Sequence, residues 1–178
     1  GVDVTEPADM AALTAEIKRR FGRLDVLANT VGGYQAGAPL HLTPLDVWTA
    51  MINLNARSVF VTSQAVIPLM LAQGSGRLIH TAARAALAGG AQAAAYSASK
   101  SAALRLVESM AAELKDAGIT VNCILPGTID TPANRQASPA ADFSRWVAPE
   151  ALADVILFLA SPAARAVSGA AIPVYGRS

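Results

Sequence analysis

The chain has 178 residues, of which 53% are hydrophobic and 15% charged, and its formal net charge is +1. This length suits a single domain over residues 1–178, and the small net charge gives no electrostatic footprint for nucleic acid or an acidic membrane. Because no apolar run is long enough to span a bilayer and no leader pattern opens the sequence, a cytoplasmic protein that acts on a small molecule is predicted.

Apolar runs of strand length alternate with longer segments of helical period. Thr5 is predicted to cap the first helix, which Gly22 ends. The predicted helices are Pro7 to Phe21, Leu45 to Leu71, Tyr96 to Asp116, and Pro149 to about Ser161. The predicted strands are Asp25 to Ala28, Arg77 to Thr81, Thr120 to Leu125 and Ala171 to Val174. This alternation is typical of an α/β fold in which helices cover both faces of a parallel sheet.

Two further features complete the outline. The segment from Thr128 to Val147 has mixed turn residues and little periodicity, which favours a lid or substrate loop. The single cysteine, Cys123, lies in an apolar run and has no partner for a disulfide or a metal site. We therefore expect Cys123 to pack in the core, and we predict no metal ligands.

Polar residues and turn formers follow three of the predicted strands. They occupy Asn29 to Gly33, Ala82 to Arg84, and Pro126 to Thr131. In an open parallel sheet, ligands bind outside the carboxyl ends of the strands. Glycine and proline also let the backbone turn sharply and approach a ligand. These segments predict a small-molecule site at one edge of the sheet.

Tyr96 and Lys100 are four residues apart near the start of a predicted helix. Their side chains therefore project from one helix face. A phenol with a pKa of about 10 is a poor acid near neutral pH, but a neighbouring ammonium favours its phenolate form. Taken alone, the pair is more often a solvated helix face. Its interpretation depends on the motifs around it.

Those motifs occur in an order that resembles the short-chain dehydrogenase/reductase family over essentially the whole chain. NTVG at Asn29 to Gly32 is similar to the family's NNAG, and YSASK at Tyr96 to Lys100 matches its YxxxK. Taken singly, each motif can be a turn, a loop or a polar helix position. The other matching positions are the adenine-contacting turn at Asp3, Val4 and Thr5, the mid-helix Asn55, and Val121, Asn122, Pro126, Gly127 and Thr131 near the nicotinamide.

The resemblance implies a fold, a cofactor and a set of roles. The fold is a Rossmann-like doubly wound parallel sheet, and the cofactor is NAD or NADP. By similarity, Tyr96 exchanges a proton with the substrate, Lys100 binds the nicotinamide ribose and lowers the tyrosine pKa, and Asn55 holds a water in a proton relay. The implied cofactor contacts are Asp3, Val4, Asn29, Gly32, Lys100, Pro126, Gly127, Ile129 and Thr131.

One position departs from the family pattern. Family members usually carry a serine thirteen positions before the catalytic tyrosine, and this chain has Ala83 there. A methyl group donates no hydrogen bond to a developing oxyanion, and losing one such donor typically costs about a hundredfold to a thousandfold in rate. Ordinary ketone reduction is therefore in doubt. Thr81 and Arg84 are candidate substitutes, although Thr81 belongs to the strand and Arg84 can be surface charge.

Dihydropteridine reductase is a subgroup of the family that also has alanine at this position. Further segments resemble it, namely ARAALAGG from Ala83, VGGYQAG from Val31, and DTPANRQASPAADFSRW from Asp130. A quinonoid dihydropterin needs less carbonyl polarisation, because a ring nitrogen takes the proton. Asn55 counts against a close match, because that reductase lacks it. The predicted substrate contacts are Ala83, Arg84, Tyr34 and Trp146, of which Tyr34 and Trp146 supply flat surfaces or else pack in the core.

The family's TGxxxGxG turn, which holds the pyrophosphate, is absent from the sequence. In the family strand order, three-two-one-four-five-six-seven, the absent strands form one contiguous half, so the remaining strands can still pair. The sequence is then an N-terminally incomplete domain, which is either a fragment of a longer polypeptide or a truncated, inactive relative. We favour the fragment, because Tyr96, Lys100, Asn29 and Asn55 are retained together. Its first strand, around Leu24 to Ala28, should then present an open apolar edge.

Two other functional classes stay open beside the enzyme. One is a non-catalytic dinucleotide sensor, in which Ala83 marks lost chemistry, and the other is an assembly module. The helices Leu45 to Leu71 and Tyr96 to Asp116 carry wide apolar faces, and the equivalent pair forms a dimer interface in the family. A homodimer or homotetramer is therefore predicted, unless these faces are buried within the subunit.

Overall fold

The computed structural model describes residues 1–177, and its four strands form one parallel sheet. The strands are β1 (Val26–Asn29), β2 (Gly76–Thr81), β3 (Ile119–Pro126) and β4 (Ala171–Val174). They lie in the order β1-β2-β3-β4, and each neighbouring pair is parallel. The predicted parallel sheet is confirmed. Each predicted strand also begins and ends within one residue of the observed strand.

The helices follow the predicted order with one addition. They are α1 (Pro7–Phe21), α2 (Leu45–Met51), α3 (Ser58–Gln73), α4 (Ala94–Leu114), α5 (Pro132–Ala137) and α6 (Pro149–Ala160). Gly22 ends α1 in the left-handed conformation, with φ of 71°, and its N–H donates to the Lys18 carbonyl. Within residues 1–177, no helix is long and apolar enough to cross a bilayer.

The predicted cap of α1 is wrong. Glu6 occupies the N-cap position and makes no side-chain cap bond. Thr5 instead donates its hydroxyl and its backbone N–H to Asp3 Oδ1, at 2.7 and 2.8 Å. A carboxylate two residues away is a strong local acceptor, so Thr5 closes a turn with Asp3 rather than capping the helix.

The predicted helix from Leu45 to Leu71 contains an irregularity that no sequence signal announced. A π-helical turn, Ile52–Arg57, joins α2 to α3. In it the Ser58 N–H donates to the carbonyl of Asn53, five residues earlier. Such turns inside α-helices are frequent at functional sites. Asn55 lies in this turn and is only 1% exposed.

Helices pack on both faces of the sheet, as predicted. Alternate strand residues point to opposite faces, which creates two separate cores. In the first, Leu78 and Val121 pack with residues of α3 and α4, and α1 packs outside α3. In the second, Ile79 and Ile124 pack against α6. Cys123 is a free, buried thiol in the first core, as expected.

The segment between Thr128 and Val147 is more ordered than predicted. It contains α5 and a short 3-10 turn, Phe143–Arg145. Ile129 and Val147 form a bridge, so the two ends of the segment meet at its base. The helix is one and a half turns long and is started by a Thr131 cap followed by proline, and periodicity does not reveal so short an element.

Candidate active site

The predicted catalytic pair lies at the carboxyl edge of the sheet. The three strands β1, β2 and β3 end at Asn29, Thr81 and Pro126, and because they are parallel these ends share one edge. Lys100, in the second turn of α4, donates from Nζ to the Thr81 carbonyl oxygen at 3.1 Å. The amino group of the pair is therefore anchored where ligands bind in open parallel sheets.

Lys100 is a buried cation that approaches two other motifs. Its side chain is 4% exposed, and burial lowers its pKa to about 8. A Cβ atom placed on Gly32 would lie 2.8 Å from Lys100 Nζ and 3.0 Å from Asn55 Oδ1. Glycine at this position lets the backbone come close to both groups. The NTVG segment, Asn55 and the YSASK segment thus meet at one place.

The amide of Asn55 is held from two directions. Its Oδ1 accepts the Gly33 N–H at 2.9 Å, and its Nδ2 donates to the Gly33 carbonyl at 3.1 Å. Nδ2 also donates to Ser99 Oγ at 3.0 Å. Because a backbone N–H only donates, the Gly33 contact identifies the amide oxygen. The π-helical turn is therefore fastened both to the loop after β1 and to α4.

Tyr96 is half-buried, and its ring meets the ring of Tyr34 edge to face. The ring centroids are 4.8 Å apart and the planes are inclined by 82°. Burial, and secondarily Tyr34, raises the pKa of Tyr96. The net shift is thus opposite in direction to the lowering that the resemblance attributes to Lys100, because burial outweighs it in the free protein. Desolvation disfavours the phenolate here, while the ammonium directs a hydrogen bond to Thr81.

The position at which the family carries a serine is occupied by an apolar residue. Ala83 lies two residues after the end of β2 and is 7% exposed. Of its two candidate substitutes, Thr81 offers its carbonyl oxygen to Lys100. Arg84 is exposed, and its guanidinium carbon lies 5.2 Å from the centroid of the Tyr175 ring. That distance fits a cation–π contact, which places Arg84 against the segment after β4.

The predicted adenine turn borders an open groove of about 570 Å³. Asp3, Val4, Val31 and Leu54 are among its lining residues. Hydrogen bonds from Thr5 lower the pKa of Asp3, so its carboxylate is ionised at neutral pH. The groove therefore combines apolar walls with an acceptor. Three segments that are far apart in the sequence form it together.

Asn29 is a buried residue that ends β1. Its Oδ1 accepts the Val31 N–H at 3.0 Å, and its Nδ2 lies 3.3 Å from Thr62 Oγ1 on α3. The first bond shapes the turn that leads to Gly32. Asn29 therefore stabilises the backbone turn of the NTVG segment.

The loop after β3 is fixed by backbone bonds. Gly127 N–H donates to the Val174 carbonyl at 3.0 Å, and Ile129 pairs with Val147. Thr131 Oγ1 accepts the Asn134 N–H at 3.2 Å, so this hydroxyl caps α5. Pro126 is the last residue of β3 and is paired with β4.

The ring contact of Trp146 is within its own loop. Its ring packs on Phe143, with centroids 4.8 Å apart, and Arg135 lies over the same Phe143 ring. Across residues 1–177, the ring contact of Tyr34 is with Tyr96 and that of Trp146 is with Phe143. The two rings that were predicted to offer flat surfaces thus pack on different neighbours.

Sequence reasoning missed Ser99, although it lies inside the YSASK motif. Ser99 is fully buried and contacts both Asn55 and the Tyr96 backbone. The available signal was its spacing, because a residue one position before Lys100 and three after Tyr96 lies on the inner side of α4. In the part of the chain that the structure describes, no cluster of acidic, histidine and cysteine residues suits a metal ion.

Residues 1–176 match the family model described as enoyl-(acyl carrier protein) reductase. The chain is 32% identical to 2-(R)-hydroxypropyl-CoM dehydrogenase of Xanthobacter autotrophicus, over 98% of this chain and 74% of that protein. Gluconate 5-dehydrogenase of Burkholderia cenocepacia, solved with NADP and tartrate, is 33% identical with a TM-score of 0.90, over 98% of this chain and 72% of that one.

A short-chain type dehydrogenase/reductase from Mycobacterium ulcerans superposes with a TM-score of 0.93 at 26% identity, over 99% of this chain and 68% of that one. These likenesses extend over nearly the whole chain rather than over one motif. They agree with the strand order and with the motifs gathered at the sheet edge. The chain belongs to the short-chain dehydrogenase/reductase family of NAD(P)-dependent oxidoreductases.

Proposed function

We propose that this protein is an NAD(P)H-dependent oxidoreductase that transfers a hydride to a small carbonyl or imine-like substrate. The observation that carries the proposal is the buried ammonium of Lys100 at the carboxyl edge of the sheet. It lies one helical turn from Tyr96, and Gly32 brings it close to Asn55. Burying a cation costs free energy, so a buried lysine in a cleft is a candidate for function.

The residues present fit parts of a dinucleotide. The groove beside Asp3 has apolar walls for an adenine ring and a carboxylate that can accept from its amino group. Gly32 has no side chain, so its backbone approaches Lys100 closely. When bound, the nicotinamide supplies the hydride. Asp3, Val4 and Asn29 would hold the adenosine side, Gly32 and Lys100 the nicotinamide ribose, and Pro126, Gly127, Ile129 and Thr131 the nicotinamide.

Tyr96 supplies the proton in the direction of reduction. Because its pKa is raised, the phenol is neutral at neutral pH and carries the proton that reduction consumes. The phenol O–H bond breaks, and the proton joins the oxygen or nitrogen of the substrate. The ammonium of Lys100 then stabilises the phenolate that is left. Asn55 would hold a water that returns a proton to this pair.

The substrate class follows from Ala83 and Tyr34. Ala83 offers no side-chain donor to polarise a carbonyl, and Tyr34 presents an exposed ring beside Tyr96. Both features favour a planar, electron-poor heterocycle such as a quinonoid dihydropterin, whose ring nitrogen accepts the proton. Arg84 and Trp146 are further substrate contacts in this proposal. The relatives are named for hydroxypropyl-CoM and gluconate, so a hydroxy compound is the competing class.

The open edge of β1 supports a place for the phosphate-binding segment. Within residues 1–177, β1 pairs with β2 alone. We place a strand and glycine-rich turn along this edge in the native, cytoplasmic polypeptide.

Assembly into a homodimer or homotetramer is proposed through α3 and α4, because Phe60 on α3 is 50% exposed. Light scattering that finds only monomer in the native protein would remove the assembly part.

The test of the proposed chemistry is Tyr96→Phe in the native polypeptide. Removing the proton donor should lower kcat by about a thousandfold, because positioned acid–base groups contribute roughly that much. Binding of NADPH, measured by calorimetry, should stay unchanged because the ring remains. Tyr34→Phe is the control and should keep its turnover. An unchanged rate in Tyr96→Phe would make the catalytic assignment wrong, and cofactor binding without turnover in the wild type would favour the sensor.

The substrate class is tested separately with Ala83→Ser. The wild type should reduce quinonoid dihydropterin faster than simple ketones. The added hydroxyl should raise the ketone rate by about tenfold, which is less than the donor contributes in sites built around it. A wild-type enzyme that reduces ketones and never quinonoid dihydropterin would exclude the pterin class while leaving Tyr96 in its role.

A further inference from the structure

Ser99 connects two of the proposed active-site elements through a single hydroxyl. It is 0% exposed and lies in α4 between Tyr96 and Lys100. Its Oγ is 2.7 Å from the Tyr96 carbonyl oxygen and 3.0 Å from Asn55 Nδ2. A bond from a helical serine to a carbonyl on the preceding turn is common. This local preference does not explain the second bond, to an amide 44 residues away.

The directions of these bonds are fixed by chemistry. The carbonyl of Tyr96 only accepts, so the single proton of Ser99 points to it, and a lone pair remains for Asn55 Nδ2. The second N–H of Asn55 donates to the Gly33 carbonyl. Both amide protons are therefore used. The amide oxygen accepts one bond, from the Gly33 N–H, and keeps a second lone pair.

That oxygen lies against Gly32. A Cβ on Gly32 would be 3.0 Å from Asn55 Oδ1 and 2.8 Å from Lys100 Nζ, so both atoms border the same place. An oxygen there accepts from an ammonium or from a water bound to it. A rotated amide would present N–H donors to a cation instead. The two orientations have nearly the same shape, so hydrogen bonds must select between them.

We propose that Ser99 is a positioning residue that fixes the amide of Asn55 with its oxygen towards Gly32 and Lys100. The inference rests on the proposed function, because it assigns Ser99 an effect on catalysis through Asn55. Ser99 touches no reacting atom in this scheme. Ser101, on the same helix, provides the contrast, because its hydroxyl donates only to the Ala86 carbonyl at 3.0 Å.

A double-mutant cycle in the native enzyme tests whether Ser99 acts through Asn55. Ser99→Ala should lower kcat by about fivefold to tenfold and leave KM within about twofold, because it loosens an amide and removes no substrate contact. Ser101→Ala, the matched control, should leave kcat within about twofold. In an Asn55→Ala background, Ser99→Ala should cause no further loss, because coupled residues are not additive.

A second readout needs no cofactor or turnover. In the wild type, the side-chain amide protons of Asn55 should exchange slowly with solvent by NMR, because both are bonded and buried. Ser99→Ala should speed this exchange at least about tenfold, and Ser101→Ala should not. Slow exchange in Ser99→Ala, or the same fold-loss of kcat with and without Asn55, would overturn the proposal. A fully active Tyr96→Phe would instead overturn the proposed function.

Discussion

The two sides of the candidate site differ in how their side chains are held. On the side of Lys100, three buried residues from the π-helical turn and α4 bond to one another or to a strand end, namely Asn55, Ser99 and Lys100. On the side of Tyr34, the predicted substrate residues stand on loops. Tyr34 is 70% exposed, and Arg84 is exposed beside Tyr175.

This difference separates a part that is fixed by the fold from a part that is free to vary. Groups that move a proton must keep their distances, and helices and strand ends hold them more firmly than loops do. Groups that select a substrate can change without disturbing the sheet. Substitutions on the Lys100 side should therefore have large effects, and substitutions on the Tyr34 side small ones.

The largest effect expected on stability is at His80 in β2, the residue before Thr81. Its ring is 1% exposed, its Nε2 is 3.1 Å from Ser63 Oγ, and its Nδ1 has no partner within residues 1–177. Burial lowers its pKa to about 4. Below about pH 6.5 the His80 ring is protonated in the unfolded chain but stays neutral in the folded chain. The shift therefore contributes about 3 kcal/mol to the free energy of unfolding above pH 6.5, and this contribution is lost as the pH falls to 4.

Urea denaturation at pH 7 and pH 4 measures this loss. His80→Gln removes the titrating ring and should make the free energy of unfolding less dependent on pH by about that amount. His41→Gln, at an exposed histidine, is the control and should keep the wild-type dependence. Equal pH dependence in the wild type and His80→Gln would show that burial does not keep His80 neutral in the folded chain.

The same division explains how much the sequence could predict. The position of Lys100 at the sheet edge was predicted correctly because helical spacing and strand ends are local properties. The π-helical turn around Asn55 was missed because it depends on bonds to Gly33 and Ser99, which are distant in sequence. Long-range bonds leave no periodic signal.

Two other differences have the same physical origin. The direction of the Tyr96 pKa shift was predicted from Lys100 alone, but it is set by burial and by Tyr34, which is distant in sequence. The contact of the Trp146 ring with Phe143, within its own loop, was likewise not predicted. Burial and loop packing are set by the whole fold, so short motifs do not contain them.

The next effect tests how tightly the Lys100 side is packed. Gly32→Ala would place a methyl group 2.8 Å from Lys100 Nζ and 3.0 Å from Asn55 Oδ1, so both groups must move. We expect kcat to fall by about a hundredfold, as small misplacements of catalytic groups do. Gly90→Ala, whose added Cβ meets nothing within 4 Å, is the control in steady-state assays. A fully active Gly32→Ala would show that Lys100 is not fixed.

The smallest effect belongs to the substrate side, and it tests where the boundary between the two sides lies. Tyr34→Ala removes one edge-to-face ring contact with Tyr96, a contact worth about 0.5–1.5 kcal/mol. We expect KM for a planar substrate to rise about fivefold while kcat changes less. Because Tyr34 and burial both raise the pKa of Tyr96, the variant should lose activity at a lower pH on the alkaline limb, where the phenol gives up its proton. Steady-state kinetics across pH measure both effects. A fall in kcat as large as that of Tyr96→Phe would place Tyr34 among the groups that move the proton, and the boundary drawn between the two sides would then be wrong.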